Sequence, residues 1–431
     1  MAAPGGEAVE RRQLSNGIRV VLENMPTSRS VSFGIWVKTG SRNEAGASNG
    51  ISHFIEHMMF KGTERYSAKD IADVFDGIGG NVNAFTSKEY TCYYAKVLDE
   101  HVPIAVDVLA DMFFRSTLAE EELNKEKNVI IEEISMYEDT PDDIVHDLIA
   151  KAAYGDHPLG LPILGTAANL KAMSADDLRK YIETHYGSDA IVISAAGNIG
   201  ESTLELFEKH FGSGVQAQRP SAAEAIQPPE FAGGHHYLRK KTEQNHICIA
   251  MPGCSQDDPL LYAMILLNNA IGGGMSSRLF QEVREKRGLA YSIYSYHTSH
   301  IDSGLFTVYA GTTPKQTAEV LDLIYDVLAD VRDNGITPEE LRKGKEQMKG
   351  SLIIGLESTS SRMTRNGKNE LMLGRLYTLD ELIERIEAVS MDDVMSLAGR
   401  LFGGMCATAM VGGTDKALVK WRDRYAAAIP H

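Results

Sequence analysis

Apolar and polar residues follow strand-like patterns in some stretches of this chain and helical patterns in others. In the first half, strands are predicted at GIRVVLEN, VSFGIWVKTG and NVNAFTSKEYTCYYAKV. In the second half, they are predicted at NHICIAMPG, AYSIYSYHTS and GLFTVYAGT. Helices are predicted at SHFIEHMMF, VPIAVDVLADMF and TAEVLDLIYDVLADV. Each half closes with an apolar strand that runs into glycine, IVISAAGN or CATAMVGG.

The same order of elements therefore occurs twice, which predicts a duplicated fold. Consecutive alternating strands favour antiparallel sheets, and the amphipathic helices between them favour an α+β class. We expect two homologous α/β-roll domains, each a mainly antiparallel sheet packed against helices. Residues 212–234 are rich in Gly, Pro, Ala and Gln and follow no period, as is typical of a linker. The expected domains are therefore residues 1–211 and 235–431.

Composition limits the class of protein. The chain has 431 residues, of which 43% are hydrophobic and 24% charged, the balance of a globular protein. It has no long uncharged apolar run and no signal-like start, so we expect a cytoplasmic protein that does not enter a membrane. A formal charge of −16 argues against nucleic-acid partners and favours basic ligands. The cysteines lie in no metal-ligand spacing and are expected to be reduced core thiols: Cys92, Cys248, Cys254 and Cys406.

The most informative motif is His53-Phe54-Ile55-Glu56-His57, the pattern H-x-x-E-H on a predicted helix. Helical geometry places its three polar residues at roughly 0°, 300° and 40° around the axis, so they share one side. This suits a zinc ion that takes two imidazoles while a carboxylate reaches its bound water. The alternative is a solvated polar face, but the helix is too apolar to be freely solvated, and buried polar groups need a partner.

A catalytic zinc needs a third protein ligand, and the helix predicted around residues 126–137 offers glutamates. Glu126 and Glu133 fall on its apolar stripe, whereas Glu132 falls on the polar side. A carboxylate on a buried stripe is costly unless it meets a cation or hydrogen-bond donors. The pattern therefore favours Glu133 as the ligand. Glu126 would either orient a histidine ligand or form a partly buried salt bridge.

With these residues, the sequence resembles the pitrilysin family of zinc peptidases over nearly its whole length. It is most similar to the branch that contains the β subunit of the mitochondrial processing peptidase and its bacterial relatives. The family signature adds a third glutamate ligand 76 residues after the second histidine, and here that position is Glu133. The resemblance implies one zinc ion per chain held by His53, His57 and Glu133. It also implies Glu56 as the general base and Glu126 as an auxiliary catalytic glutamate.

The resemblance also assigns substrate contacts in the first half. Phe60 matches an aromatic wall for the residue after the scissile bond. Asn83, Ala84 and Phe85 match an edge strand that pairs with an extended peptide, a mode in which main-chain bonds bind and side-chain pockets select.

Four further residues match substrate contacts of the family. Asp143 and Asp147 match acidic residues that receive a basic side chain near the cut. The alternative for them is an ordinary acidic first turn, because Asp143 closely follows Pro141. Arg284 and Tyr291, seven residues apart, match a pair that binds substrate and stabilises the oxyanion from a domain other than the zinc domain.

The predicted function is therefore a zinc metalloendopeptidase that hydrolyses unfolded or presequence-like peptides, with a preference for basic residues near the cut. Family members with a complete site in one chain carry four such domains, and this chain has two. A homodimer is the simplest assembly, and a heterodimer with an inactive paralogue is the other one. The alternative function is a non-catalytic core or scaffold subunit of the same fold. A purely structural zinc protein is a third hypothesis.

Overall fold

The computed structural model describes residues 9–212 and 226–427. Its strands are β1 (Glu10–Gln13), β2 (Arg19–Asn24), β3 (Ser30–Val37), β4 (Asn81–Thr86), β5 (Thr91–Leu98), β6 (Ile191–Gly197), β7 (His235–Arg239), β8 (Asn245–Pro252), β9 (Ala290–Ser299), β10 (Gly304–Thr312) and β11 (Ala407–Gly412).

The α-helices follow in the same chain order. They are α1 (Ile51–Met58), α2 (Ala68–Gly77), α3 (Val102–Arg115), α4 (Glu120–Glu138), α5 (Pro141–Tyr154), α6 (Ala167–Ala172), α7 (Ala175–His185), α8 (Glu201–Phe211), α9 (Leu261–Ile271), α10 (Thr317–Asn334), α11 (Pro338–Gly355), α12 (Thr359–Leu373), α13 (Leu379–Ala388), α14 (Met391–Phe402) and α15 (Lys416–Ala427). A π-helical turn, Phe280–Glu285, precedes β9.

The chain forms two compact units, and neither is a continuous segment. The first unit consists of Met1–Ile134, Pro162–Ile226 and Ile353–Leu376. The second consists of Ser135–Leu161, Gln227–Leu352 and Tyr377–His431. Each unit therefore takes one piece of chain from the other half of the sequence.

The first unit is built on a sheet with the strand order β1-β2-β6-β3-β5-β4. Strands β2 and β6 are parallel, and the other neighbours are antiparallel. One face of the sheet buries Val31, Phe33 and Ile35 against an apolar core that includes residues of α1, α3, α7 and α8. Because side chains alternate along a strand, the residues between them, such as Gly34 and Trp36, lie on the other face.

That second face is covered by α12, which comes from the C-terminal half of the chain. A Cβ added at Gly367 would lie 2.3 Å from Trp36 Nε1, so only glycine allows this close approach. The buried Glu23 of β2 accepts hydrogen bonds from Arg362 and Asn366. Glu370, also buried, accepts from Arg11 at 2.8 Å. Charged side chains thus fix the position of α12 on the sheet.

The second unit has the strand order β7-β11-β8-β10-β9, with β7 and β11 parallel and the other neighbours antiparallel. This order repeats that of β2, β6, β3, β5 and β4. One face packs against α9, α10 and α14, and the other is covered by α5. Helix α5 buries Val145 and Ile149 against the strands. Helices α5 and α12 hold equivalent places in the duplication, since each is the third helix after the β4–β5 or β9–β10 hairpin.

The predicted α+β class and the duplication are confirmed. The predicted domain boundaries stay a prediction, and residues 213–225 of the expected linker lie outside the described residues. The reciprocal placement of α5 and α12 was not predicted. All four cysteines are buried and free. Within residues 9–212 and 226–427, every helix is too short or too polar to pass through a bilayer.

Candidate metal and catalytic site

Helix α1 carries the H-x-x-E-H motif and is anchored by its apolar residues. It begins after Gly50, whose φ of 100° favours glycine and where an added Cβ would lie 2.8 Å from the Leu164 carbonyl oxygen. Phe54, Ile55 and Met58 are fully buried in the core of the first unit. This anchoring holds the opposite side of the helix, with its histidines and Glu56, in a fixed orientation.

The structure brings the three predicted zinc ligands together in the first unit. His53 Nε2 and His57 Nε2 are 3.2 Å apart. Glu133 Oε2 lies 3.8 Å from His53 Nε2 and 3.7 Å from His57 Nε2. Ligand atoms that each lie about 2.0–2.2 Å from one tetrahedral zinc ion are separated by similar distances. The three residues therefore have the chemistry and the spacing of a zinc site.

The hydrogen-bond pattern around the histidines also fits a cation. Glu126 Oε1 lies 2.8 Å from His57 Nδ1, and Lys61 Nζ lies 2.7 Å from the other oxygen of Glu126. Burial opposes ionisation of Glu126, but these two donors lower its pKa below the ordinary value. An ionised Glu126 accepts the Nδ1 proton of His57, which leaves the Nε2 lone pair directed at His53.

His53 is neutral at ordinary pH. Burial, and then the neighbouring His57, lower the pKa of His53 to about 3. Its Nδ1 is buried and has no hydrogen-bond partner within the part of the chain that the structure describes. A neutral imidazole is the form that binds a metal, so His53 is ready to act as a ligand.

Glu56 lies next to this triangle but is not part of it. Its Oε2 accepts a hydrogen bond of 2.6 Å from the Thr86 hydroxyl. Burial raises the pKa of Glu56 above its ordinary value, and the Thr86 hydroxyl partly offsets that shift. A carboxylate beside a metal site, with a raised pKa, is suited to general-base chemistry.

The remaining predicted residues of the first unit lie around this site. Phe60 follows the end of α1, is half-buried and packs against the core. Asn83, Ala84 and Phe85 lie in β4, which is the edge strand of its sheet. Phe85 packs against Trp36 with ring centroids 5.8 Å apart, so it lies on the face that α12 covers.

The other predicted substrate residues belong to the second unit. Asp143 is exposed in the first turn of α5, and Asp147 lies one turn later. Tyr137 donates its hydroxyl proton to the Asp143 carbonyl oxygen at 3.1 Å. Burial, Asp147 and Asp143 all raise the pKa of Tyr137, so both carboxylates are its neighbours.

Arg284 and Tyr291 are brought together in the second unit. The Arg284 guanidinium carbon is 5.1 Å from the Tyr291 ring centroid, within the range of a cation–π contact. The Tyr291 side chain is exposed although it is large and aromatic. An exposed aromatic residue next to an arginine is available to contact another molecule.

Two contacts of the site were missed by the sequence analysis, those of Lys61 with Glu126 and of Thr86 with Glu56. Both had a signal in the sequence. Lys61 lies four residues after His57, just beyond the end of α1. Thr86 shares the even positions of β4 with Val82 and Ala84, which pack against the core that includes α1.

Comparison with known proteins gives matches along most of the chain. Residues 19–167 match the family described as insulinase (peptidase family M16), and residues 172–348 match the peptidase M16 inactive domain. An uncharacterized zinc protease of Bacillus subtilis is 54% identical, covering 94% of this chain and 98% of the relative. An uncharacterized zinc protease of Streptomyces coelicolor is 44% identical, covering 94% and 89%.

Solved structures agree with the fold. A protease from Helicobacter pylori superposes with a TM-score of 0.88 at 24% identity, covering 94% of this chain and 99% of the other. A peptidase M16 inactive domain from Pseudomonas fluorescens gives a TM-score of 0.87 at 22% identity, covering 94% and 98%. At these identities the likeness concerns the fold alone.

Proposed function

Because this chain belongs to peptidase family M16, the insulinase or pitrilysin family of zinc peptidases, we propose that it is a zinc endopeptidase of unfolded peptides. The observation that carries the proposal is the triangle of His53, His57 and Glu133 with Glu56 beside it. A metal-binding triangle alone is compatible with a structural zinc site. A separate, hydrogen-bonded carboxylate at its side supplies the base that peptide hydrolysis needs.

The proposed mechanism divides the work among residues of this chain. His53, His57 and Glu133 would hold the zinc ion, and Glu126 would keep the His57 ring oriented. When bound, zinc would supply Lewis-acid chemistry to a water molecule and to the scissile carbonyl. Glu56 accepts the proton of the attacking water and later passes it to the leaving amine.

The proposed substrates are unfolded peptides with basic residues near the cut. The net charge of −16 supports this choice, because a negative field attracts basic peptides. Asp143 and Asp147 are the residues proposed to receive the basic side chain. A cytoplasmic location stays a prediction.

The proposed assembly is a homodimer in which each zinc domain meets the C-terminal domain of a second copy. Arg284 and Tyr291 would then donate hydrogen bonds to the developing oxyanion or to the peptide main chain. Support comes from the exposed Tyr291 ring and its contact with Arg284.

Replacing the base tests the proposed function directly. The Glu56→Gln variant should keep one zinc ion per chain, because Glu56 is not a ligand. Its turnover of an unstructured peptide should fall by about 100-fold or more, as is typical when a general base is removed. Zinc content by atomic absorption and kcat with a fluorogenic peptide are the two measurements.

Two glutamates of α4 serve as controls. Glu133→Gln should weaken zinc binding, whereas Glu132→Gln should leave both zinc content and turnover unchanged, since Glu132 is exposed to solvent. Near wild-type activity of Glu56→Gln would remove Glu56 from the mechanism. A requirement of Glu132 for zinc would contradict the assignment of the third ligand.

A further inference from the structure

Thr86 is the last residue of the edge strand β4 and lies where β4 contacts α1, the helix that carries Glu56. Along β4 the even positions, Val82 and Ala84, pack against the core of the first unit that includes residues of α1. Thr86 has the same parity, so its side chain projects from that face. It is half-buried there, next to Glu56.

The contact between Thr86 and Glu56 is a short hydrogen bond between two side chains. The Thr86 hydroxyl donates to Glu56 Oε2 at 2.6 Å. Hydrogen bonds to a charged acceptor are shorter and stronger than neutral ones. A donor on a rigid strand therefore restricts the position of a side chain that otherwise has three rotatable bonds.

The hydrogen-bonding pattern between β4 and β5 determines which main-chain groups of β4 point to the open edge of the sheet. Ser87 N donates to Tyr90 O at 2.9 Å at the hairpin turn, so this pair is hydrogen-bonded. Directly opposed pairs then alternate, and β4 pairs with β5 without a register shift. Val82, Ala84 and Thr86 therefore direct their N–H and C=O groups away from β5. Of these, the Ala84 N–H donates to Asn83 Oδ1 at 2.8 Å, a bond that a pairing peptide would replace.

We propose that Thr86 is a positioning residue that holds the Glu56 carboxylate at the end of the open edge of β4. A peptide that pairs with Val82 and Ala84 then meets the base immediately beyond its last main-chain contact. This inference rests on the proposed function, because it requires Glu56 to be the general base and β4 to bind the substrate. Positioning of a reacting group within a fraction of an ångström is worth a large factor in rate.

The Thr86→Val variant removes the hydroxyl but keeps the side-chain shape, the strand preference and the backbone N–H. The kcat for an unstructured peptide should fall about tenfold or more, since a hydrogen bond to a charged group is lost. KM should change by less than about twofold, because the contact acts on the chemical step. Zinc stoichiometry and zinc affinity should equal those of the wild type, and Thr86→Ser should recover most of the rate.

Thr91→Val is the matched control. Thr91 faces Thr86 across the β4–β5 pair, and its hydroxyl donates to the Thr39 carbonyl oxygen at 2.9 Å, not to Glu56. This variant loses a hydroxyl from the same strand pair and should keep kcat. An equal loss of kcat in both variants would show that the effect comes from the hairpin, and the proposal would be overturned.

A second background separates this inference from the proposed function. If Thr86 acts through Glu56, Thr86→Val should cause no further loss when it is added to Glu56→Gln. An additive loss, or wild-type kcat in Thr86→Val while Glu56→Gln is inactive, would overturn the positioning role alone. Full activity of Glu56→Gln would instead overturn the proposed function, and the positioning role with it.

Discussion

Glu132 and Glu133 are neighbours in the sequence but differ in their surroundings. Glu132 is exposed, whereas Glu133 is within 3.8 Å of both metal-facing histidine nitrogens. Helical periodicity alone separates them, because 100° of rotation per residue moves one to the solvent side. The Glu133 side chain is nevertheless 44% exposed, more than its apolar stripe predicts. A ligand of a catalytic metal must border the open position where substrate enters, so partial exposure suits its role.

Asp143 and Asp147 of α5 are the residues proposed to bind a basic side chain of the substrate. Replacing Asp143 and Asp147 together with Asn should lower kcat/KM for peptides with Arg or Lys near the cut by about tenfold. Neutral peptides should lose much less, because they leave no cation unpaired. The measurement is a paired set of peptides that differ in one basic residue.

Asp142→Asn is the control for that pair, since Asp142 lies in the same first turn of α5 and is exposed. It should leave the ratio of the two peptides unchanged. An equal loss for basic and neutral peptides in the double variant would show that Asp143 and Asp147 stabilise the helix N-terminus instead.

Among the elements, α12 depends most on contacts that are distant in sequence. Glu23 is 3% exposed and bonds to Arg362 and Asn366, the first of which lies 339 positions away. A buried carboxylate that loses a partner keeps its desolvation penalty without compensation.

Arg362→Met should therefore destabilise the protein by about 1–3 kcal/mol, less than for a fully buried pair because the Arg362 side chain is 28% exposed. Arg342→Met, which breaks an exposed pair with Glu339 in the preceding helix, should destabilise the protein far less. Urea unfolding midpoints of the two variants measure the difference. Equal midpoints would mean that the Arg362–Glu23 pair does not contribute to holding α12.

The sequence predicted those parts of the molecule that depend on local patterns. Strand alternation, the helix of His53 and His57, and the stripe of Glu133 all repeat within a few residues, and each predicted element is present. Periodicity identifies the buried face of a helix but not the sheet that the helix covers. The placement of α5 on the second sheet and of α12 on the first was therefore not predictable. The Thr86–Glu56 contact also joins two separate elements, and only their packing reveals it.

In the whole molecule, the zinc ligands belong to the first unit and the Arg284–Tyr291 pair belongs to the second. If a second copy completes the site, His53→Ala and Tyr291→Phe chains should each be nearly inactive alone. Co-expression should restore about a quarter of wild-type activity, because half of randomly formed dimers would carry one intact site out of two. Mass photometry should show a species near twice the 47.2 kDa chain mass.

Each single variant expressed alone is the reference for this experiment, and a His53→Ala/Tyr291→Phe double variant co-expressed with wild type controls for subunit mixing. A fully active monomer, or co-expressed chains no better than either alone, would contradict the dimeric site. The zinc chemistry of the first unit would not be affected by that result.

Helices α5 and α12 are also synthesised at different times relative to the sheets that they cover. All strands of the first sheet have been translated once Gly197 is added, but the helix that covers its second face ends at Leu373. At typical elongation rates, Trp36 and its neighbours stay uncovered by α12 for on the order of ten seconds or more. The second sheet differs, because its covering helix α5 is translated before β7. Helix α5 is therefore already present when the first strand of the second sheet emerges. Nascent chains of this protein therefore expose one sheet face late in translation, and the first sheet is the one that needs protection.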